Sequence, residues 1–548
     1  MATPQSRTSW LTSPVWGTLL FLLPALTLIG LAYVFGNFRF RHALGLLQLL
    51  HGVPLAIIAV LAGLLLLLSL ITLARSMRLT DPPPPSRWWT FLPLLSSMGL
   101  FAFVAVAMWL GHRPISDWID ERRLGGLAAA RLDPAEQGQS AHDWPQWRGP
   151  RRDGISLETG LHLDWEQGPP PLLWKKPIRG GYSSPAVARG RVYVTDRDGG
   201  QERVFCFDAE SGEELWVYSY ANDYGNLEFG AGPRATPTVH DGRVYTLGAT
   251  GTLLCLEADP ADRQPRVLWR HDLMAEFATE APRWGVASSP LIEDDLVIVQ
   301  PGGETASVAA FHRLTGQLVW KALNDVGGYS SPVAVTAAGV RQIVCVTGEG
   351  IAGLHPRDGR TLWYYPWVTT FEGNIATPIV AGNYVFVSSS YNKGCLLLEI
   401  SGQGSALTAE PVYVKANKLM RNHHSTCVLH QGHLYGYDVN TNNNTAALKC
   451  VDLRKAEEKW ADRSLTKGTL LYADGCLIIL TEDGRLAVVE ATPERFRKRG
   501  EFQIFDSTQT WALPALAHGR LYARDGRWLV CYDLRPPVKT EPGKAARP

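Results

Sequence analysis

The stretch GYSSPAVARGRVYV at residues 181–194 reads as a short strand, a Gly turn and a second strand with alternating apolar side chains. Its opening phrase returns as GYSSPVAV at residues 328–335. A phrase written twice marks a repeated unit, and weaker copies elsewhere give the size of that unit. The pattern of Ser or Thr, Pro, strand, Gly and strand anchors at Pro185, Pro237, Pro290, Pro332 and Pro378. It then degrades, with Cys427, Leu470 and Pro514 holding the anchor position in the last three copies. Eight copies at a mean spacing of about 47 residues fit a unit of four short strands, one blade of a radial ring of sheets.

Inside each copy an alternating run such as RVYVTD is followed by a third run such as VFCFDAESG. A fourth run ends in Trp, and Trp216, Trp269, Trp320, Trp363 and Trp460 mark it. No long helical period interrupts this grammar. The last copy stops after LVCYDL, and the tail RPPVKTEPGKAARP (535–548) cannot supply a fourth strand. The unassigned segment PLLWKKPI (171–178) has the right pattern. It is expected to complete the eighth blade and close the ring, which removes a free sheet edge. The expected fold is therefore all-β: an eight-bladed β-propeller with four-stranded blades.

The 548-residue chain is 46% hydrophobic and 19% charged, unevenly distributed. Apolar runs at 15–35, 53–73 and 88–111 each reach the roughly 20 residues that cross a bilayer as a helix. Trp88 and Trp89 stand where an interfacial aromatic belt would lie. The expected organisation is a membrane region with three transmembrane helices (1–112), a linker (113–142) and the propeller (143–548). Orientation is not decided by charge, because Arg7, Arg75, Arg78 and Arg87 on one side are balanced by Arg39, Arg41, Arg113, Arg122 and Arg123 on the other. Lys plus Arg is 53 against 52 acidic residues, and no basic run is interleaved with aromatics, so a nucleic-acid partner is excluded. Of eight cysteines, Cys206, Cys255, Cys450 and Cys531 hold one third-strand position in different copies. Equivalent positions in separate blades do not touch, so these read as small buried hydrophobes.

The segments DWPQWRGPRRDG (143–154), DAESGEELW (208–216), NHHSTCVLHQGHLYGYD (422–438) and VEATPERF (489–496) resemble the PQQ-like β-propeller repeat proteins. These are often described as relatives of the outer-membrane assembly lipoprotein BamB, and the likeness covers about residues 143–535. The resemblance implies an eight-bladed ring on the extracytoplasmic side of a bacterial membrane. It also implies one of two functional classes. Quinoprotein dehydrogenases hold pyrroloquinoline quinone (PQQ) with Ca²⁺ in the central funnel, whereas BamB-like scaffolds bind proteins through their loops without a cofactor. The adjacent cysteine pair typical of alcohol-oxidising quinoproteins is absent, and no set of carboxylates suited to calcium is visible. The reading favours a binding or scaffold module over an enzyme, without a cofactor, in a bacterial inner membrane with a periplasmic propeller. Its partners would be the lipid bilayer and a protein or an anionic small ligand. The alternative is a PQQ-dependent dehydrogenase, with Ca²⁺, oxidising an alcohol or sugar.

The repeat register also selects candidate site residues. One residue before each anchor stand Ser184, Thr236, Ser289, Ser331, Thr377, Thr426, Thr469 and Leu513, a near-uniform set of hydroxyls that points to a shared structural hydrogen bond. Three residues before the anchors the types vary. There Tyr182, Arg234, Tyr329, His424, Lys467 and Trp511 are expected to ring one mouth of the channel as a cationic, aromatic-walled ligand site. Asn422, His423 and His424 lack the further ligands of a zinc site, and adjacent histidines on a strand face opposite ways, so no metal is expected. His42, His51 and His112 lie near the ends of the apolar runs and do not suggest haem. WPQWRG reads as an anchoring stretch, with Trp144 and Trp147 packed on the ring and Arg148 meeting carboxylates or carbonyls.

Overall fold

The computed structural model describes residues 140–404, 406–415 and 419–537, all within the compact unit Glu121–Pro548. The three expected membrane spans and most of the linker lie outside the described residues. Among the described residues no helix is long and apolar enough to cross a membrane.

Eight separate four-stranded antiparallel sheets account for the described strands. Blade 1 comprises Ala186–Ala188, Arg191–Asp198, Gln201–Asp208 and Glu214–Ala221, ordered from the inside outward. Blades 2 to 7 follow at residues 238–272, 291–322, 333–366, 379–415, 428–462 and 468–503. Blade 8 takes its inner three strands from Ala515–Ala517, Arg520–Arg524 and Trp528–Asp533. Its outer strand is Leu172–Pro177, paired antiparallel to Trp528–Asp533 with Trp174 opposite Cys531. The segment expected to close the ring does so.

The outer-strand tryptophans join each blade to the next. The indole N–H of Trp174, Trp216, Trp269, Trp320 and Trp460 donates to a carbonyl in the turn before the outer strand of the following blade, at Ala209, Ala258, Arg313, Pro356 and Thr492 (2.8–3.2 Å). In three of these turns a Gly makes room for the ring: Gly212 for Trp174, Gly316 for Trp269 and Gly359 for Trp320. A Cβ on Gly359 would lie 2.5 Å from Trp320, at a φ of +70°. Blade 5 substitutes Tyr413, whose hydroxyl donates to Leu453 O at 2.8 Å. Blade 4 departs from the pattern, for Trp363 bonds Gln342 of its own sheet at 2.5 Å. In blade 7 the equivalent residue is Gly500, and Trp165 from the N-terminal segment packs against it, its N–H bonded to Arg499 O at 2.9 Å.

The hydroxyl register forms a girdle. The N–H of Leu513 donates to Ser184 Oγ, that of Ser184 to Thr236, Thr236 to Ser289, Ser289 to Ser331 and Thr377 to Thr426, at 2.8–3.2 Å. Five of the eight blades thus cap a backbone N–H at the start of a neighbour's inner strand, which explains why the sequence is nearly uniform here and variable two residues earlier.

Residues 143–158 lie across the end of the channel toward which the inner strands run. Trp144 exchanges backbone bonds with Val187 of blade 1 (2.8 Å), and Pro145 O accepts from Val239 of blade 2. Arg152 donates to the carbonyls of Ser289 and Pro290 in blade 3. The Trp147 indole donates to Thr377 in blade 5 at 2.8 Å, and Arg148 to Thr426 O and Cys427 O in blade 6. Gly154 and Ser156 pair with Tyr472 of blade 7, and Glu158 accepts from Gly519 N in blade 8 at 2.5 Å. Arg148 and Arg152 are 2% and 4% exposed, and burial pulls their pKa values down to about 10 and about 9. They stay charged at neutral pH and are held mainly by carbonyl oxygens, as expected for Arg148. All eight cysteines are buried and free, and burial pushes Cys206 up to about 12.

Two outcomes follow from this arrangement. Trp174→Ala should lower unfolding stability by about 3–5 kcal/mol, matching Trp216→Ala, because both indoles serve the same inter-blade joint. Denaturant melts that leave the Trp174 variant unchanged would contradict ring closure. Arg148→Ala should cost about 2–4 kcal/mol by stranding buried carbonyls, whereas removing the exposed Arg263–Glu213 pair should change stability by less than about 1 kcal/mol.

Candidate functional site

Because the inner strands run toward the sealed end, residues three positions before the anchors stand at the opposite mouth. The six expected residues meet in one network there. Tyr182 stacks on Trp511 (ring centroids 4.9 Å apart), and Trp511 meets the edge of His424 at 4.1 Å. The Arg234 guanidinium lies 5.5 Å from the Tyr182 ring. Lys467 pairs with Glu482 at 3.3 Å, and Glu482 also accepts from the Trp511 indole at 2.9 Å. Tyr329 joins through neighbours: it packs on Trp284 at 5.1 Å, Trp284 on Tyr391 at 5.7 Å, Tyr391 on His423 at 5.3 Å and His423 on His424 at 3.8 Å.

The charges of this set are answered internally. Arg234 donates to the carbonyls of Gly232, Glu228 and Phe229 in its own loop, and burial lowers its pKa. Burial and then Lys467 bring His423 down to about 3, and burial with His423 and Lys467 holds His424 well below the usual imidazole range. Both rings are neutral near pH 7. Tyr391 OH and His424 Nε2 each lie 3.0 Å from His423 Nε2, while His423 Nδ1 is buried with no hydrogen-bond partner among the described residues. The mouth is an aromatic and imidazole surface more than a cluster of free cations.

The repeat register did not identify Trp284, Phe371, Tyr391 and Phe229. Phe371 packs edge-on against Trp284 (6.2 Å) and Tyr391 (5.7 Å), and Phe229 against Trp511 (5.6 Å). These residues lie in the links and turns between strands, where the repeat carries no register. The signal available was the presence of aromatics in otherwise polar connections. Beside them Glu228 holds Arg283 at 2.8 Å and the Trp284 indole at 3.0 Å.

Among the described residues no group of three or more His, Cys, Asp or Glu could hold a metal ion. Tyr, Arg, His, Lys and Trp at the mouth offer poor ligands for calcium, which prefers several converging oxygens. A flat quinone would have to part the contacts of Trp511 with His424 and of Trp284 with Tyr391. The residues present do not fit a quinone–calcium pair. A groove of about 980 Å³ lies on the sealed face, lined by Asp241, Asp294, Arg313 and Arg357 among others. Arg313 is bonded to Asp241 there at 3.0 Å, which leaves a mixed-charge, solvated surface.

The depressed imidazoles give the mouth a pH signature. Their folded pKa values lie below the roughly 6.5 of an unfolded chain, so the unfolded state takes up more protons as the pH falls through about 6.5, and stability is lost on the acid side. His423→Gln should flatten that loss between about pH 6.5 and 4 in denaturant midpoints, and identical slopes for variant and wild type would contradict it.

No curated protein matches the chain. Among solved structures, quinohemoprotein alcohol dehydrogenase from Comamonas testosteroni aligns with a TM-score of 0.53 at 14% identity, over 78% of this chain and 86% of that one. BamB from Moraxella catarrhalis aligns with a TM-score of 0.47 at 15% identity, over 66% of this chain and all of that one (100%). At such identities the first likeness shows the fold alone. The family model described as "Outer membrane protein assembly factor BamB" matches residues 160–226 and 200–462. That is more than half of the 548 residues and takes in the closing strand and blades 1 to 6, so the chain belongs to the BamB-like family of PQQ-repeat propellers.

Proposed function

We propose that the protein is a membrane-held binding module whose propeller stands on the extracytoplasmic side of a bacterial inner membrane and receives a protein partner at the channel mouth. The observation that carries this reading is the continuous line of side chains from Phe229 through Trp511, His424, His423 and Tyr391 to Trp284 and Phe371. Phe229 and Phe371 remain 46% and 45% exposed at its ends. Trp and Tyr at the centre with an Arg–Glu pair beside them is the composition of a protein-binding hot spot. The packing also holds these rings in place, so little side-chain entropy remains to be lost on docking. An anionic small molecule is the weaker candidate, because Lys467 is already paired and Arg234 is tied to its loop. The quinoprotein alternative is disfavoured by the donor set at the mouth.

The membrane part of the proposal rests on the three apolar runs before residue 112. The test is site-specific photocrosslinking of the full chain in its native membrane, with the reactive group at Phe371 or, as a control, at Lys459 on the outer wall of blade 6. A discrete adduct at 371, absent at 459 and weakened about tenfold or more by Trp284→Ala, is the expected result. Equal labelling at the two positions, or quinone-dependent oxidation of an alcohol or sugar by the purified protein, would contradict it.

A further inference from the structure

We infer that the partner received at the mouth presents a basic segment, with lysine or arginine set between apolar residues, to the loops of blades 3 and 4. This rests on the reading of the mouth as a protein-binding surface and names the chemistry of what binds there. The second hairpin turn of every blade and the links between blades lie at the mouth, because the inner strands run toward the sealed end. In blades 3 and 4 and the links beside them these segments are 273–286, 300–307, 323–330, 346–350 and 365–376. They hold six carboxylates, Glu276, Glu280, Glu304, Asp325, Glu349 and Glu372, against one cation, Arg283.

Most of this charge is left for a partner. Arg283 is bonded to Glu228 at 2.8 Å and Glu276 to His271 at 2.9 Å, and the buried Asp325 accepts from Thr347 and Tyr364. Glu280, Glu304, Glu349 and Glu372 are exposed and form no ion pair among the described residues. Two lysines stand at the margins, Lys321 on the outer strand of blade 3 and Lys393 over the Trp367 ring at 4.3 Å.

The loops form one surface. The N–H of Gly303 donates to Asp325 O at 2.9 Å, that of Gly348 to Val326 O at 3.0 Å and that of Trp367 to Glu349 O at 2.8 Å. A Cβ on Gly348 would lie 2.8 Å from Val326 and 3.0 Å from Glu372. The carboxylates thus stand among Val326, Val368 and Phe371, which are 43%, 61% and 45% exposed. Burial pushes the Tyr329 phenol up to about 12, and Glu372 and Glu228 act in the same direction, so their field reaches the aromatic line.

An exposed apolar patch set among unpaired carboxylates calls for an occupant that answers both. A metal ion does not, since among the described residues no group of three or more acidic, His or Cys side chains could hold one. Anionic headgroups and nucleic acid are repelled by the same field. A peptide segment with cations spaced along it can meet carboxylates spread over several loops while its apolar side chains cover Val368 and Phe371. Arg283 already places its guanidinium 5.2 Å from the centre of the Phe371 ring, the contact that an incoming arginine or lysine would make on an exposed aromatic.

The experiment titrates the full chain in dodecyl maltoside micelles with a fluorescein-labelled octapeptide that alternates lysine with valine and phenylalanine. Its counterpart carries glutamate in place of lysine. Fluorescence anisotropy should give the basic peptide a Kd about tenfold or more below that of the acidic one. The triple variant Glu280→Gln, Glu349→Gln, Glu372→Gln should weaken binding about tenfold, and Phe371→Ala about fivefold. The control Glu166→Gln, Glu410→Gln, Glu494→Gln removes as many exposed carboxylates outside these loops and should stay within about twofold of the unaltered chain. Equal affinity for the two peptides, including none for either, or a triple variant that binds like the control, would overturn the proposal. The photocrosslink from position 371 separates it from the reading it rests on. An adduct that persists in the triple variant overturns the basic partner alone, and an adduct missing from the unaltered chain overturns both.

Discussion

A ring of blades holds together only when its last sheet finds the strand it lacks. Here the lacking strand comes from the far end of the chain: Leu172–Pro177 pairs with Trp528–Asp533, so blade 8 is built from residues more than 350 positions apart. Left unpaired, that sheet would present a free edge, and the joint from Trp174 to blade 1 would be lost. Five of the other seven blade boundaries carry the same kind of joint, because Trp216, Trp269, Trp320, Tyr413 and Trp460 each reach from one blade into the next. Closure is therefore the constraint on which the cooperative stability of the ring depends.

The same N-terminal segment serves the ring twice more before it becomes a strand. Residues 143–158 tie blades together across the channel end, and Trp165 packs where blade 7 carries Gly500 in place of a large ring. One end of the channel is thereby filled with buried arginines satisfied by carbonyls. The two faces then differ in chemistry. The mouth carries aromatics, neutral imidazoles and paired charges, while the other face carries mixed charges such as Asp241, Asp294, Arg313 and Arg357.

The repeated parts of this architecture were legible in the sequence because repetition amplifies weak signals. Eight anchors gave eight blades, the missing fourth strand after LVCYDL pointed to PLLWKKPI, and the near-uniform hydroxyls pointed to the girdle. The variable register brought Tyr182, Arg234, Tyr329, His424, Lys467 and Trp511 to one mouth. The register could not show the partners that answer their charges, since Glu482 and the loop carbonyls around Arg234 come from irregular segments. Trp284 and Phe371 escaped for the same reason. WPQWRG could be read as an anchor, but its contacts with blades on every side of the channel depend on long-range geometry that carries no period.

Hydrogen exchange of the full chain tests the closure claim most directly. The amides of the closing strand that face blade 8, Trp174 and Lys176, and of the sealing segment at Trp144 and Ser156 should exchange as slowly as those of Leu529 to Cys531 in the strand they complete, within about tenfold, and open only with global unfolding. Exchange in the N-terminal segment that is orders of magnitude faster than in the blade 8 core would show a ring that stands without its closing strand, and would contradict the account.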